Sequence, residues 1–227
     1  QFIEGVENGT FLTHDSSISG FNYQFSAQAI IPFGKKYSTQ LMFSHQPLRS
    51  LDSQNSKIYY TQSLSRETII EFTEIDLASS SLENTNLDIS PITSIGIGFG
   101  RNKKWFLGAQ YDYTKSSNFK NQFFERQNIS YKDGQKWVVG GYFIPNYSSF
   151  TSFWKRVVYR FGFRTQQMSI IVNNSPIKET GITFGLGLPL AGLSNANVGF
   201  ELSQRGKRDS GMVQELSLIH ISEPTRH

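Results

Sequence analysis

Apolar and polar residues alternate one by one along most of this chain, and that rhythm leaves no place for a helix of ordinary length. In WFLGAQYDY, Trp105, Leu107, Ala109, Tyr111 and Tyr113 oppose Gly108, Gln110 and Asp112. In VVYRFGFR, Val157, Tyr159, Phe161 and Phe163 oppose Arg160, Gly162 and Arg164. FNYQFSAQA, SIGIGFG, GITFGLGL and NVGFELS repeat the pattern, the last with Glu201 on its polar side. Side chains in a strand point alternately to the two sheet faces, so each segment reads as a strand with one greasy and one wet face. About thirteen such segments are expected, starting near residues 1, 20, 37, 56, 68, 93, 105, 123, 136, 156, 168, 179 and 195. The segment at 68–77 changes phase between Phe72 and Ile75, which predicts a bulge.

The connections between segments sort into two sets. GKK (34–36), SRE (65–67), RNKK (101–104), KDGQ (132–135), TQQ (165–167) and LAGLSN (190–195) are short. PLRSLDSQNS, ASSSLENTNLDISP, KSSNFKNQ, PNYSSFTSFWK, NNSPIK and QRGKRDSGM are mostly longer and polar. Short and long alternate, the pattern of an up-and-down barrel in an outer membrane with its short turns at one end. The expected fold class is therefore all-β, a transmembrane antiparallel up-and-down β-barrel with about 13 of about 14 strands present. The competing fold is a soluble sandwich, whose apolar faces would be sealed between two sheets. Aromatics near strand ends, Phe33, Trp105, Phe106, Trp137, Phe150, Phe153 and Trp154, fit interfacial girdles. The 145–155 loop reads either as part of an outer-leaflet aromatic belt or as a rim that meets partners or hydrophobic solute.

Composition narrows the function classes. Aromatic residues make up 14% of the 227 residues, which favours strands. There is no cysteine, so thiol catalysis and cysteine metal sites are out. The net charge of +4 is spread without a basic block, so no nucleic-acid partner is expected. Of the four histidines, His220 and His227 lie in a C-terminal stretch set aside below; His14 and His45 are too few for a histidine metal site, and no cofactor is expected. Ser44 and His45 are adjacent and so face opposite ways in a strand, which removes them as a catalytic dyad. GIGFG (96–100) does not open a helix and fails as a phosphate loop. The chain is expected not to be an enzyme. The candidate site is the inner lining of the barrel: Gln110, Asp112, Arg160, Arg164 and Glu201. Those side chains either pair with one another to fill the interior, or orient a solute or bind the head group of an amphipathic ligand.

KKWFLGAQYDYTKSSNF (103–119), GGYFIPNYSSFTSFWKRVVYRFGFR (140–164), GITFGLGLPL (181–190) and SNANVGFELSQRG (194–206) together resemble a FadL-like outer-membrane barrel family of Bacteroidota. The resemblance implies a Gram-negative outer-membrane location, contact with outer-membrane lipid, and passage of a hydrophobic small-molecule ligand through a plugged lumen. It implies as the alternative a non-transporting barrel subunit of an outer-membrane assembly or secretion complex, with other outer-membrane proteins as partners. Residues 1–215 are expected to be a barrel fragment lacking the N-terminal plug and the final strand. Leu216–Arg226 resembles the in-frame translation of a transposon-end sequencing adaptor, so 216–227 is expected to be a non-native tail that packs poorly or adds a strand by default.

Overall fold

A computed structural model describes residues 8–63, 68–117, 119, 129–190, 194–206 and 215–226. All of its regular structure is β, all pairing is antiparallel, and the expected fold class holds at that level. The strands are β1 (Asn8–Ser19), β2 (Phe25–Phe33), β3 (Tyr37–Gln46), β4 (Arg49–Ser63), β5 (Ile69–Glu74), β6 (Asn84–Ile89) and β7 (Ile92–Arg101). They continue as β8 (Trp105–Thr114), β9 (Ile129–Tyr131), β10 (Gly134–Phe143), β11 (Val158–Val172), β12 (Ser175–Pro189), β13 (Ser194–Arg205) and β14 (Glu215–Arg226). They divide between two compact units.

The smaller unit holds β1, β4, β5 and β6. One edge of β4 pairs with β1 along its length, and the other pairs with β6 and then with β5. Asn55 sits where β6 gives way to β5. Its side-chain oxygen accepts from the hydroxyls of Ser16 (2.7 Å) and Ser53 (2.9 Å). Its amide donates to the Leu82 carbonyl and to the Thr85 hydroxyl, each at 2.9 Å. A buried amide satisfied on both sides fixes the chain between β5 and β6 to the middle of β4. The irregularity foreseen at Phe72–Ile75 falls earlier. Ile69 pairs with Gln62 and Glu71 with Thr61, so Ile70 is the extra residue.

The larger unit is one long sheet in the order β14-β13-β12-β11-β10-β8-β7-β3-β2, with β9 paired to β11. Its cross-strand registers keep phase from β2 to β13, so the two faces stay separate. Phe161 pairs with Phe184 and Phe184 with Phe200; Phe163 pairs with Ile182 and Ile182 with Leu202. These rings and aliphatic chains are uncovered: Phe161 is 48% and Phe163 45% exposed, with Tyr159 on the same face. Among the described residues only Leu77, Ile144 and Val157 are buried apolar side chains. The sandwich alternative requires the aromatic face to be sealed, and it is open. No described pairing joins β2 to β14, so the closure a barrel needs is absent among the described residues.

Two of the expected turns and one of the expected long loops are corrected. Thr165–Gln167 lies inside β11, which runs for 15 residues. The β11–β12 turn is instead Asn173–Asn174, with φ of 49° and 60°. Two asparagines tolerate the left-handed conformation that a tight hairpin demands of both central residues, so NNSPIK is a two-residue turn followed by the start of β12 rather than a long loop. Lys132–Gln135 is also no hairpin. β9 and β10 follow one another along the same edge of β11, at 170–172 and then 159–167, so this stretch is a jog in one strand. The expected turn at 65–67 and the strand start near 123 lie outside the described residues.

The ends of the sheet are corrected too. Counting strand directions puts Gly34–Lys36, Asn102–Lys104 and Ile144–Val157 at one end, called the turn end below. The Ile144 amide donates to the Lys104 carbonyl at 2.7 Å, which pins the 144–157 segment to the β7–β8 turn. That segment was expected among the long loops of the opposite end. Its length misled, because it is a folded platform: Asn146 N–H donates to Lys155 O, and Arg156 N–H to Phe153 O. β14 pairs with β13 in continuous antiparallel register over the range of the suspected tail.

Candidate functional site

Strand phase decides where the five candidate side chains stand. Gln110 pairs with Val138 and Val138 with Arg164. Asp112 pairs with Lys136, Arg160 with Gly185, and Glu201 with Thr183. Direct partners in an antiparallel sheet share a face. Gln110, Asp112, Arg160, Arg164 and Glu201 therefore all lie on the polar face, opposite the exposed aromatics. The apolar face carries Tyr37, Trp105, Phe143 and Tyr159 at the turn end, as cross-strand neighbours.

The structure then adds partners that no single strand could reveal. Arg164 reaches Glu201 at 2.6 Å and Glu179 at 2.5 Å through the same nitrogen. Glu179 also takes Arg205 at 2.7 Å. Glu179 is only 5% exposed, so the carboxylate is the buried centre of an Arg–Glu–Arg group with Glu201 at its rim. Arg160 donates to the Asn197 side chain at 2.7 Å. Gln110 donates to Asp112 at 2.7 Å, and Lys136 lies 3.4 Å from the same carboxylate. The five residues thus form three separate groups, and each is occupied with another side chain. Glu179, Arg205, Lys136 and Asn197 were missed. Glu179 is the first residue after NNSPIK when the strand is started at 179, where nothing marks it out, and only the β11–β12 register shows it beside Arg164.

Phe106, expected in a girdle, is on the polar face instead. Its ring covers Gly98 and Gly108: a Cβ built on Gly98 would come 2.2 Å from the ring and one on Gly108 would come 3.0 Å from it. Tyr142 stacks beside it at 6.1 Å. Glycines here make room for a ring lying flat on the sheet, which is why Gly alternates within these strands. A shallow hollow of about 270 Å³ remains between Gln28, Gln40, Met42, Phe106, Gln110 and Val138. Ser44 and His45 face opposite ways as expected: Ser44 Oγ accepts from Gln24 at 2.7 Å, while His45 Nδ1 lies 3.0 Å from Thr93 Oγ1.

Asp133, beyond the end of β8, is a clamp of its own. One carboxylate oxygen accepts the Tyr113 hydroxyl at 2.6 Å, and the other accepts the Ser116 and Ser117 amides at 3.0 and 2.9 Å. The Tyr113 hydrogen bond, helped by the two amides, holds the Asp133 carboxyl below its ordinary value of 3.8. A lowered folded pKa means that the clamp is at full strength above the ordinary carboxylate range and is lost as pH falls through the shifted value. Amide protection at Ser116 and Ser117 should therefore hold from neutral pH down to about 4 and drop below that. Asp133→Asn should give weaker protection with no acid step. Hydrogen exchange against pH measures both, and an acid step that survives in the variant would refute the assignment.

In the smaller unit, a cleft of about 720 Å³ is lined by Asp15, Gln54, Glu74, Asp76 and Glu83 among others. Its carboxylates do not converge as a metal cage would require, and Asp76 caps the Ala78 and Ser79 amides.

Comparison with known proteins gives one family. The BamG family model matches residues 1–222, nearly the whole chain. No curated protein matches the sequence significantly. The match corrects the family resemblance drawn from the motifs, since it points to outer-membrane assembly and not to FadL in particular. An all-β chain with an uncovered aromatic face and a charge-paired polar face agrees with an outer-membrane-associated location. The chain belongs to the BamG family, a family associated with the Bam complex of outer-membrane assembly.

Proposed function

We propose that the chain is the wall of an outer-membrane β-barrel that serves as a structural subunit of an outer-membrane assembly complex, and that it carries no solute and catalyses no reaction. The polar face lines the barrel interior, and the exposed aromatic face meets lipid. The observation that carries this reading is the Arg164–Glu179–Arg205 group with Glu201. A conduit for hydrophobic molecules needs an apolar path, and moving an apolar solute over paired charges strips them of water at a cost of several kcal/mol per ion. Charges that saturate one another also leave no free head-group ligand. The family match supports the partner role, and a lipid-embedded wall accounts for a sheet that leaves its greasy face open.

A tagged protein extracted from native outer membranes in mild detergent should bring down other outer-membrane proteins in a fixed ratio. Recovery of the chain alone, together with loss of uptake of a hydrophobic fluorescent fatty acid on deleting the gene, would establish the transport reading instead.

A further inference from the structure

One end of the long sheet collects cations in connections that hold no acid. The turn end carries Lys35 and Lys36, then Arg101, Lys103 and Lys104, then Lys155 and Arg156. No Asp or Glu occurs in 34–36, 101–104 or 144–157. None of these cations makes an ion pair among the described residues. This differs from the polar face, where the arginines and Lys136 have found acids or an asparagine.

The cations adjoin the aromatic row of the apolar face. Arg101 pairs in the sheet with both Tyr37 and Trp105, whose rings are 6.3 Å apart, so its side chain leaves the backbone on the uncovered side, at a position flanked by two aromatic residues. Phe99 stacks on Tyr37 at 5.6 Å just behind them. An arginine in this position lays its methylenes on hydrocarbon and lifts its head to the headgroup level. Beyond it, Arg101–Lys104 and Ile144–Ser148 enclose a cleft of about 450 Å³. Lys103 is held at its wall, 4.9 Å over the Tyr147 ring. The Ile144–Lys104 hydrogen bond keeps the two walls together.

We infer that the turn end binds the phosphate of an anionic phospholipid from the leaflet around it, with Arg101, Lys103 and Lys104 as ligands. This rests on the barrel reading above. The phosphate offers several acceptors to converging donors, and an anionic headgroup supplies the charge this end lacks. A lipid is favoured over an acidic protein segment because the cations continue the aromatic row of the lipid-facing side rather than forming an island away from it.

The full chain is reconstituted in nanodiscs of phosphatidylcholine mixed with phosphatidylglycerol, and the lipids retained after detergent extraction are counted by native mass spectrometry. The wild type should keep phosphatidylglycerol over phosphatidylcholine by about fivefold or more, and Arg101→Gln/Lys103→Gln/Lys104→Gln should bring that near parity. Lys132→Gln, at the β9–β10 jog, should leave the preference intact. If the triple variant does not insert, Lys103→Gln alone should still lower the preference. An unselective wild type, or a variant that keeps the full preference, overturns the inference. So does a variant that keeps its lipid but loses co-purified subunits, which would make this end a protein contact. The assembly role stands or falls separately, on co-purification by the wild type. Failure of the wild type to insert at all overturns the barrel reading and the lipid site with it.

Discussion

Glu179→Leu should lower the stability of the larger unit by about 2–3 kcal/mol, a larger effect than any other single charge removal on the polar face. The carboxylate receives Arg164 on one oxygen and Arg205 on the other, and it is almost wholly buried. Its loss leaves two guanidiniums facing each other across β12. Arg164 keeps Glu201 at 2.6 Å, whereas Arg205 keeps no ion-pair partner among the described residues. The cost falls short of the roughly 3–5 kcal/mol of a fully buried pair because the Arg205 side chain is 49% exposed and water takes over part of the role. Glu179→Leu/Arg205→Leu should recover about half the loss, since it removes the stranded cation along with its partner. Urea unfolding followed by tryptophan fluorescence in detergent measures both. A single-variant change under about 0.5 kcal/mol would mean that the group is solvated and contributes nothing.

The same group shows how far a sequence read one strand at a time can go. Period-two alternation is a property of one strand, and it put Gln110, Asp112, Arg160, Arg164 and Glu201 on a common polar side because each strand's phase follows from its own greasy residues. The phases could agree across β8, β11 and β13 only because the registers introduce no slip between β2 and β13 apart from the outer part of β11. Which residue stands opposite which is a property of pairs of strands. Glu179 lies in β12, four residues beyond its start, and becomes a partner of Arg164 only once Asn173–Asn174 is known to be the turn. Reading TQQ as a turn divided β11 in two and started the next strand late. Lys132–Gln135 misled for the related reason that Asp-Gly is a strong hairpin signal. Here Asp133 spends its carboxylate on Tyr113 and two serine amides, and the chain continues in the same direction. The 144–157 segment was placed at the wrong end because loop length was allowed to stand for sidedness. Backbone pairing is indifferent to side-chain identity, so β14 carries no information on the origin of Leu216–Arg226.

Gly141→Ala should cost about 2–4 kcal/mol, more than a methyl group on an uncovered face has any evident reason to cost. Gly141 lies between Leu107 and Phe161 on the apolar side, where the alternation would admit any hydrophobic residue and a larger one would extend the greasy surface. A Cβ there would come within 2.2 Å of the Phe106 carbonyl oxygen. A backbone atom cannot rotate away as a side chain can, so β8 and β10 must part locally and their ladder hydrogen bonds lengthen. Gly98 makes the useful contrast. Its Cβ would meet the Phe106 ring at the same 2.2 Å, but the ring can swing toward the hollow beside Met42 and Val138. Gly98→Ala should therefore cost about 1–2 kcal/mol, half as much for the same nominal overlap. Val139→Ala, two residues away on the same strand and face, supplies the baseline and should cost under about 1 kcal/mol. The order Gly141, Gly98, Val139 in urea midpoint is the expected result, and it separates a clash with backbone from a clash with a mobile ring. If Gly141→Ala were as mild as Val139→Ala, the close approach of β10 to β8 would not exist in the folded protein. The apolar face would then be set by greasiness alone, as the alternation by itself suggests.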